Sequence, residues 1–224
     1  MPYLLHIDTA TEYATICISE NAMVLGSMVN SDQKTHASFV QPAIKNLLLN
    51  CNLSLRQLAG ISVTAGPGSY TGVRVGIASA KGLCFALHIP LVLLNTLEVM
   101  AASAVIGYKE KSEGVLFCPM IDARRLEVFT AIYDNRLHEI VLPCAMKIET
   151  DSFQKILDKQ WVFFTGSGAE KSSAIIHHPH AIFNKNNLSA AGLVRVAIQK
   201  FDNHVFSDIS LSDALYIKDF LTIL

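Results

Sequence analysis

The amino-acid sequence predicts an α/β fold made of two related domains. Apolar runs typical of buried strands alternate with segments of helical period. A strand-strand-strand-helix-strand-helix order occurs near the start and recurs, less regularly, after residue 114. The polar and small stretch ASAVIGYKEKSEG, residues 102–114, separates the two halves. We therefore predict an N-terminal domain over residues 1–105 and a smaller C-terminal domain over residues 106–224.

The elements of the first half follow from hydrophobic periodicity and from turn residues between the apolar runs. The predicted strands are Tyr3–Asp8, Thr15–Ser19, Met23–Val29, Gly60–Thr64 and Pro90–Leu94. The predicted helices are Thr35–Asn50, Ser69–Leu87 and Thr96–Ile106, with a short turn over Leu55–Leu58. Because proline has no N–H group to donate, we expect Pro42 to kink the first of these helices.

The second half repeats this order with shorter elements. The predicted strands are Val115–Asp122, Leu126–Tyr133, Leu137–Leu142, Trp161–Thr165 and Ala181–Phe183. The predicted helices are Thr150–Lys159 and Ser189–Phe201. The tripeptide ARR at residues 123–125 joins the first two of these strands, and GSG at residues 166–168 follows the fourth.

Composition limits the classes of function. Charged residues make up 17% of the 224 positions, against about 25% in ordinary soluble domains, and the mean hydropathy is +0.36. Such a chain either hides much of its surface or has a partner that covers part of it. The net charge is −1 without a basic block, so we do not expect strong direct binding of nucleic acid.

The cysteines and the N-terminus indicate a cytoplasmic protein. The five cysteines are odd in number and scattered without a Cys-x-x-Cys pair, which is typical of reduced thiols. The N-terminus MPYLLHIDTATEY has no early positive charge and is not typical of a signal peptide. No apolar run approaches about 18 residues without polar breaks, so we expect no membrane span.

The glycine-rich stretch AGPGSYTGVRVG, residues 65–76, could cradle a phosphate or serve the backbone. A P-loop requires a lysine directly after its last glycine, and here Gly72 is followed by Val73. The dinucleotide fingerprint requires a glycine spacing one residue shorter than the one present. We therefore prefer a tight strand-to-helix turn made by Gly66 and Gly68, with Ser69 capping the helix.

The helix after this turn is apolar on nearly every side, with only Arg74 and Lys81 charged, and such a helix should be covered all round. Gly72, Gly76 and Ala80 form a ridge without bulk. Two explanations stay open at this point. The cover is either the chain's own Thr35–Asn50 helix or a partner that binds both helices together.

Several polar motifs have both a chemical and a structural interpretation. DTAT at Asp8–Thr11 could hold a magnesium-bound phosphate, but a simple chain turn is favoured. HHPH at His177–His180 invites a metal, but no acid or cysteine cluster completes a ligand set. Arg124 and Arg125, together with Glu127, could bind an anion or form a salt-bridged hairpin, and the hairpin is the default. Ser69 and Thr71 have no base in view, so we predict no catalytic residue.

Motifs along nearly the whole chain resemble those of the TsaB (YeaZ) family of bacteria. The most specific is GPGSYTGVRVG, which resembles the family's signature at the start of a helix. IDTATEYATICI, HASFVQPAI, DARRLEVFTAIY and the tail LYIK are also similar to family elements, although Lys218 and Ala214 depart from the usual arginine and proline.

The resemblance implies the two-domain fold of the actin, hexokinase and Hsp70 class, called ASKHA. It implies work in forming threonylcarbamoyladenosine at adenosine 37 of tRNA, as a scaffold without chemistry of its own. The implied partners are a TsaD-like subunit, a TsaE-like ATPase, and tRNA only indirectly. ATP and metal would belong to those partners. Asp8, Thr9, Gly166 and Gly168 would be remnants of a nucleotide site, although an ordinary strand-to-helix turn is preferred for Gly166–Lys171. Apart from the resemblance, we expect the apolar face to bind a copy of itself as a two-fold homodimer when the partner is absent.

The metal site of the larger relative has no counterpart in this sequence. The relative carries a His-x-Glu-Gly-His element, and the matching stretch here is NTLEVM, residues 95–100. Thr96 and Met100 stand in place of the two histidines, and neither replaces imidazole for iron or zinc. We therefore expect no metal in this chain.

We predict that the two helices Thr35–Asn50 and Ser69–Leu87 form the partner-binding face. The predicted contact residues are Phe39, Ile44, Leu47, Val73, Gly76, Ile77 and Ala80. Gly76→Arg is expected to abolish pairing while the chain stays folded. The alternatives are an ATP-dependent small-molecule kinase of the same fold and a metallohydrolase similar to the M22 glycoproteases.

Overall fold

The computed structural model describes residues 2–110, 114–184 and 188–217. The chain divides into two compact units: Met1–Val99 with Ser189–Leu215, and Met100–Leu188 with Tyr216–Leu224. This division differs from the predicted domains 1–105 and 106–224, because residues 189–215 pack with the first unit. The predicted tail residue Lys218 lies outside the described residues.

The first unit is built on a five-stranded mixed sheet. Its strands are β1 (Tyr3–Asp8), β2 (Ala14–Glu20), β3 (Met23–Asn30), β4 (Leu58–Thr64) and β5 (Leu91–Leu94), in the order β3-β2-β1-β4-β5. The first three strands form an antiparallel meander, whereas β4 and β5 are parallel to β1. Its helices are α1 (His36–Asn50), α2 (Tyr70–Leu87), α3 (Thr96–Gly107, which runs into the second unit) and α6 (Ala190–Asp202).

Helices cover both faces of this first sheet. The helices α1 and α2 contact its strands and each other, and Ile7 of β1 faces α2 near Gly76. The helix α6 contacts β1, β2, β3 and β5, and its Phe201 lies over Leu4 and Gly60. Because successive side chains of a strand point to opposite faces, Leu4 and Ile7 place α6 and α2 on opposite sides. The helix α1 continues through Pro42 to Asn50.

The second unit repeats the topology of the first sheet. Its strands are β6 (Val115–Asp122), β7 (Glu127–Tyr133), β8 (Glu139–Lys147), β9 (Trp161–Thr165) and β10 (Ala181–Asn184), in the order β10-β9-β6-β7-β8. The pairs β6–β7 and β7–β8 are antiparallel, and β9 is parallel to both β6 and β10. The short helices α4 (Gln154–Leu157) and α5 (Ser167–Ser173) pack on this sheet. The predicted repeat of strands and helices is therefore confirmed.

Within the described part of the chain, no helix has the combination of length and apolar character that a membrane span needs.

Candidate functional site

The glycine-rich stretch brings the start of α2 against the end of β1. A Cβ atom on Gly68 would overlap the carbonyl oxygen of Ala10, and one on Gly72 would overlap that of Thr9. The Ser69 N–H donates to the Ala10 carbonyl at 2.7 Å, and the Ser69 hydroxyl accepts from the Gly72 N–H at 3.2 Å, as the predicted cap. The glycines thus serve close backbone packing. The carbonyl oxygens that lie against these glycines would repel a phosphate.

Asp8 and Thr9 are fully buried at this junction. The Thr9 hydroxyl donates to the Gly72 carbonyl at 2.6 Å. The Asp8 Oδ1 accepts from the Ala10 N–H at 3.0 Å and from the Thr64 hydroxyl. Burial raises the pKa of Asp8 to about 6, against the lowering effect of the hydrogen bonds from Thr64 and Ala10. The two residues therefore hold the sheet edge to α2 and present no open phosphate site.

Gly166 and Gly168 are also covered by protein atoms, in the second unit. A Cβ on Gly166 would overlap the Met100 side chain and lie 2.5 Å from the Met120 carbonyl oxygen. A Cβ on Gly168 would lie 2.8 Å from Val128 Cγ1. Both glycines are buried under these protein atoms, so neither is open to a nucleotide.

The start of α3 lacks the chemistry of a metal site. The Thr96 N–H donates to the Gly66 carbonyl at 2.9 Å, and Met100 is buried. The Glu98 carboxylate forms an ion pair with Lys200 at 2.8 Å. Neither Thr96 nor Met100 offers the imidazole that iron or zinc would need. In residues 2–110, 114–184 and 188–217, no group of three or more His, Cys, Asp or Glu side chains is arranged to hold a metal ion.

Most of the residues predicted to contact a partner are enclosed in the first unit. Five belong to its hydrophobic core and are at most 5% exposed: Ile44, Leu47, Val73, Ile77 and Ala80. Gly76 is buried as well, and a Cβ there would lie 2.5 Å from Thr9 Oγ1. Only Phe39 is half-exposed. The face predicted for these residues needs correction, because the glycine ridge accommodates the end of β1.

The opposite side of α2 is largely exposed. Thr71, Val75, Ala78, Gly82 and Phe85, spaced by four and three residues, form this outer stripe. Phe85 is 72% exposed, and apart from the adjacent residues and the helix backbone itself, no heavy atom lies within 4 Å of a Cβ built on Gly82. The outer stripe therefore combines an exposed aromatic side chain with open space one turn away.

A tail segment, residues 207–215, extends the outer stripe. Ser207 pairs with Leu91 of β5, the Leu215 N–H donates to the Ala65 carbonyl at 2.7 Å, and Lys81 Nζ donates to the Ser212 carbonyl at 2.8 Å. The Asp208 carboxylate accepts from the Ser210 and Leu211 N–H groups. This ordered turn leaves Leu211 83% exposed beside α2.

A groove between α1 and α2 continues the apolar surface on the other side. It is lined mainly by exposed or half-buried residues, including Pro42, Lys45, Leu49, Leu55 and Leu83. Of these residues, Leu49 is 64% exposed. The first unit thus presents an apolar strip made of the outer stripe, the tail segment and this groove.

Comparisons with known proteins agree with the observed topology. A family model described as "TsaD: tRNA N6-adenosine threonylcarbamoyltransferase" matches residues 23–219. The "tRNA threonylcarbamoyladenosine biosynthesis protein TsaB" of Bacillus subtilis is 34% identical over 158 residues, which is 70% of this chain and 66% of that protein. The chain belongs to the TsaB (YeaZ) family.

Other relatives and solved structures support the TsaB assignment and the fold. The Escherichia coli TsaB protein is 32% identical over 59% of this chain and 55% of its own length. The matches thus span about half to two thirds of these curated TsaB relatives. A Pseudomonas aeruginosa structure described as an "uncharacterized protein with similarity to peptidase YEAZ" superposes with a TM-score of 0.85; it is 24% identical and the match covers 97% of this chain and 100% of that one. The structure of "YeaZ" from Pseudomonas aeruginosa superposes with a TM-score of 0.80; it is 22% identical and the match covers 96% of this chain and 100% of that one. The fold is therefore the predicted ASKHA class.

Two motifs outside the TsaB signature have structural explanations in this chain. In the HHPH loop, the His180 Nδ1 lies 2.7 Å from the Leu157 carbonyl, and His178 Nδ1 accepts from the His180 N–H at 3.1 Å. The other ring nitrogen of His178 lies 3.5 Å from Asp158. Beside the ARR turn, Asp122 forms an ion pair with Lys171 of α5, and this pair differs from the one predicted between the arginines and Glu127.

The placement of charge along α2 is the sequence signal for the outer stripe. Arg74 and Lys81 lie on the same half of α2 as Ala78 and Gly82, and a helix buries the half that lacks charge. His6 was overlooked. It is buried on β1 between Ser62 (2.7 Å) and Ser19 (2.8 Å), and burial lowers its pKa to about 3, so it stays neutral.

Proposed function

We propose that this chain is a non-catalytic scaffold subunit that binds a TsaD-like subunit for threonylcarbamoylation of adenosine 37 in tRNA. The observation that carries the proposal is the outer stripe of α2, where Phe85 and Ala78 lie exposed around open space at Gly82. The names of the curated TsaB relatives supply the pathway, and the family model links the chain to the TsaD proteins.

The absence of imidazoles at the start of α3 supports a role without catalysis. A TsaD-type transfer would place two histidines at the positions of Thr96 and Met100. The partner subunits would supply metal and ATP, and a TsaE-like ATPase would join through the TsaD-like subunit. The cysteines are unpaired, three of them buried, which fits a reducing cytoplasm.

The apolar strip supports the placement of the partner. Exposed apolar patches with a charged rim are typical of protein interfaces, and Arg74 and Lys81 provide such a rim here. Small residues at Ala78 and Gly82 let another helix approach the backbone closely, while Phe85 and Leu211 offer bulky anchors. Without its partner, this strip would bind a second copy of the chain and form a two-fold homodimer.

Complex formation with the TsaD-like subunit of the same organism tests the proposal. The unaltered chain should co-elute with that subunit in size-exclusion chromatography. Ala78→Arg places a charged side chain in the outer stripe and should abolish co-elution. The matched control is Ala191→Arg, which changes an exposed alanine of α6 and should leave the complex intact. Retention of the complex by Ala78→Arg would contradict the placement.

An activity assay tests the non-catalytic role separately. With tRNA, ATP and a threonylcarbamoyl donor supplied, threonylcarbamoylated tRNA should form only when the TsaD-like and TsaE-like subunits are both added to the chain. Product formed by the chain alone would overturn the scaffold role. Phosphorylation of a small molecule by the isolated chain with ATP would favour the kinase alternative, and stoichiometric iron or zinc in the purified chain would favour the hydrolase.

A further inference from the structure

The turn between β6 and β7 holds two neighbouring arginines in an unusual backbone conformation. Arg124 and Arg125 have φ angles of 70° and 52°, in the left-handed region that side chains other than glycine rarely adopt. Two consecutive arginines there persist only when the surrounding structure forces the conformation.

Neighbouring residues hold this turn in place. The Asp122 carboxylate accepts from the Arg124 N–H at 2.8 Å and pairs with Lys171 Nζ. The same ammonium donates to the Glu127 carbonyl at 2.6 Å and to the Arg125 carbonyl at 3.2 Å. The Asp122 N–H donates to the Ser167 hydroxyl at 3.1 Å. The turn is therefore attached to α5 on both of its sides.

The two guanidinium groups of this turn are available to bind a ligand from outside the chain. Both arginines are exposed, and across the described ranges of the chain neither side chain has an ion pair or hydrogen bond. Lys171 and the Arg124 N–H occupy the Asp122 carboxylate and, against the raising effect of partial burial, hold its pKa below the usual range. Arg74, by contrast, stacks on the Tyr70 ring at 3.5 Å.

We propose that Arg124 and Arg125 bind backbone phosphates of the tRNA on which the complex acts. This inference rests on the proposed function. A guanidinium is always charged and presents a planar fork that matches phosphate oxygens, and a rigid turn lowers the entropy lost on binding. With a net charge of −1, the free chain attracts RNA only weakly, so the contact operates in the assembled complex. The sequence analysis predicted only an indirect association of this chain with tRNA, whereas the proposed phosphate contact is direct.

Binding of an unmodified tRNA transcript by the assembled complex, over a series of salt concentrations, tests this contact. The complex carrying Arg124→Ala with Arg125→Ala should bind more weakly, and its plot of log affinity against log salt should be shallower by about 1.4 for two lost phosphate contacts. Arg124→Lys with Arg125→Lys preserves the charge and should keep the slope. The matched control is Arg136→Ala. Arg136 is an exposed arginine in the β7–β8 turn, and its N–H likewise donates to an aspartate, Asp134, at 2.8 Å.

The outcomes separate this inference from the proposed function. If the complex forms and the double alanine variant binds tRNA with unchanged affinity and slope, the phosphate contact is refuted. If the variant weakens assembly instead, the arginines bind the protein partner and the inference also fails. Weaker binding of inorganic phosphate by the double alanine variant than by the unaltered complex, with tRNA binding the same in both, would assign the turn to free phosphate and overturn the RNA contact. If the unaltered chain forms no complex, the proposed function fails and this inference falls with it.

Discussion

The two glycines Gly76 and Gly82 should respond in opposite directions to the same substitution. Gly76→Ala adds a methyl group 2.5 Å from Thr9 Oγ1 and 3.3 Å from Val63 Cγ2, whereas Gly82→Ala adds one where, apart from the adjacent residues and the helix backbone itself, no heavy atom lies within 4 Å. The pair therefore tests which side of α2 packs on its own sheet.

The magnitudes follow from the contacts. At Gly76, overpacking costs about 1–3 kcal/mol. Moving the Thr9 hydroxyl away from the Gly72 carbonyl, which it meets at 2.6 Å, costs about 1–3 kcal/mol more. The better helix propensity of alanine returns about 1 kcal/mol. We expect Gly76→Ala to lower the free energy of unfolding by about 1–5 kcal/mol. Gly82→Ala should raise it by about 0.5–1 kcal/mol.

Urea unfolding followed by far-ultraviolet circular dichroism measures both changes. A Gly76→Ala variant as stable as the unaltered chain would refute the packing of α2 on β1, and with it the assignment of the outer stripe. The same contacts mean that Gly76→Arg would disrupt the fold, so it cannot serve as the interface test that the sequence suggested. Gly82→Arg fills that role, because it adds bulk only on the exposed side.

Three further predictions concern other parts of the chain. Burial raises the pKa of Asp8 from 3.8 to about 6, so its ionisation favours unfolding as pH rises through that window. Asp8→Asn should be more stable than the unaltered chain by up to about 3 kcal/mol at pH 7 and equal to it near pH 3, measured by urea unfolding. His6 titrates in the opposite sense in both chains, so its effect cancels when the two are compared. Arg124→Gly relieves a positive φ and should raise the unfolding free energy by about 1 kcal/mol, measured in the same assay; a loss would contradict the strain. Lys81→Met removes the bond to Ser212 and should speed amide hydrogen exchange in the tail segment, measured by mass spectrometry; unchanged protection would refute this attachment.

The sequence predicted the elements well because their periodicity is strong. The helix α2 was expected over Ser69–Leu87 and spans Tyr70–Leu87, with Ser69 as its cap. The side of α2 that faces inward was not predicted, because glycines occur on both sides. Gly76 meets Thr9 only after β1 and β4 pair, a contact between residues distant in sequence.

Long-range packing also explains the other differences between prediction and structure. The amphipathic pattern of α6 predicted a helix over Ser189–Phe201 but not which sheet it would cover. Positive φ angles at Arg124 and Arg125 have no local signature, since the turn depends on Lys171, which lies 46 residues beyond Arg125 in the chain. The burial of Asp8 likewise required the glycine turn to close over it.

The return of residues 189–215 to the first unit has a consequence for synthesis of the protein. During translation, the first sheet emerges early, yet the helix that packs against Leu4 and Gly60 emerges after the whole second sheet. Until then, one apolar surface of the nascent first unit faces water or a chaperone. A premature stop near residue 188 would therefore leave a chain that aggregates, even though every strand of both sheets had been made.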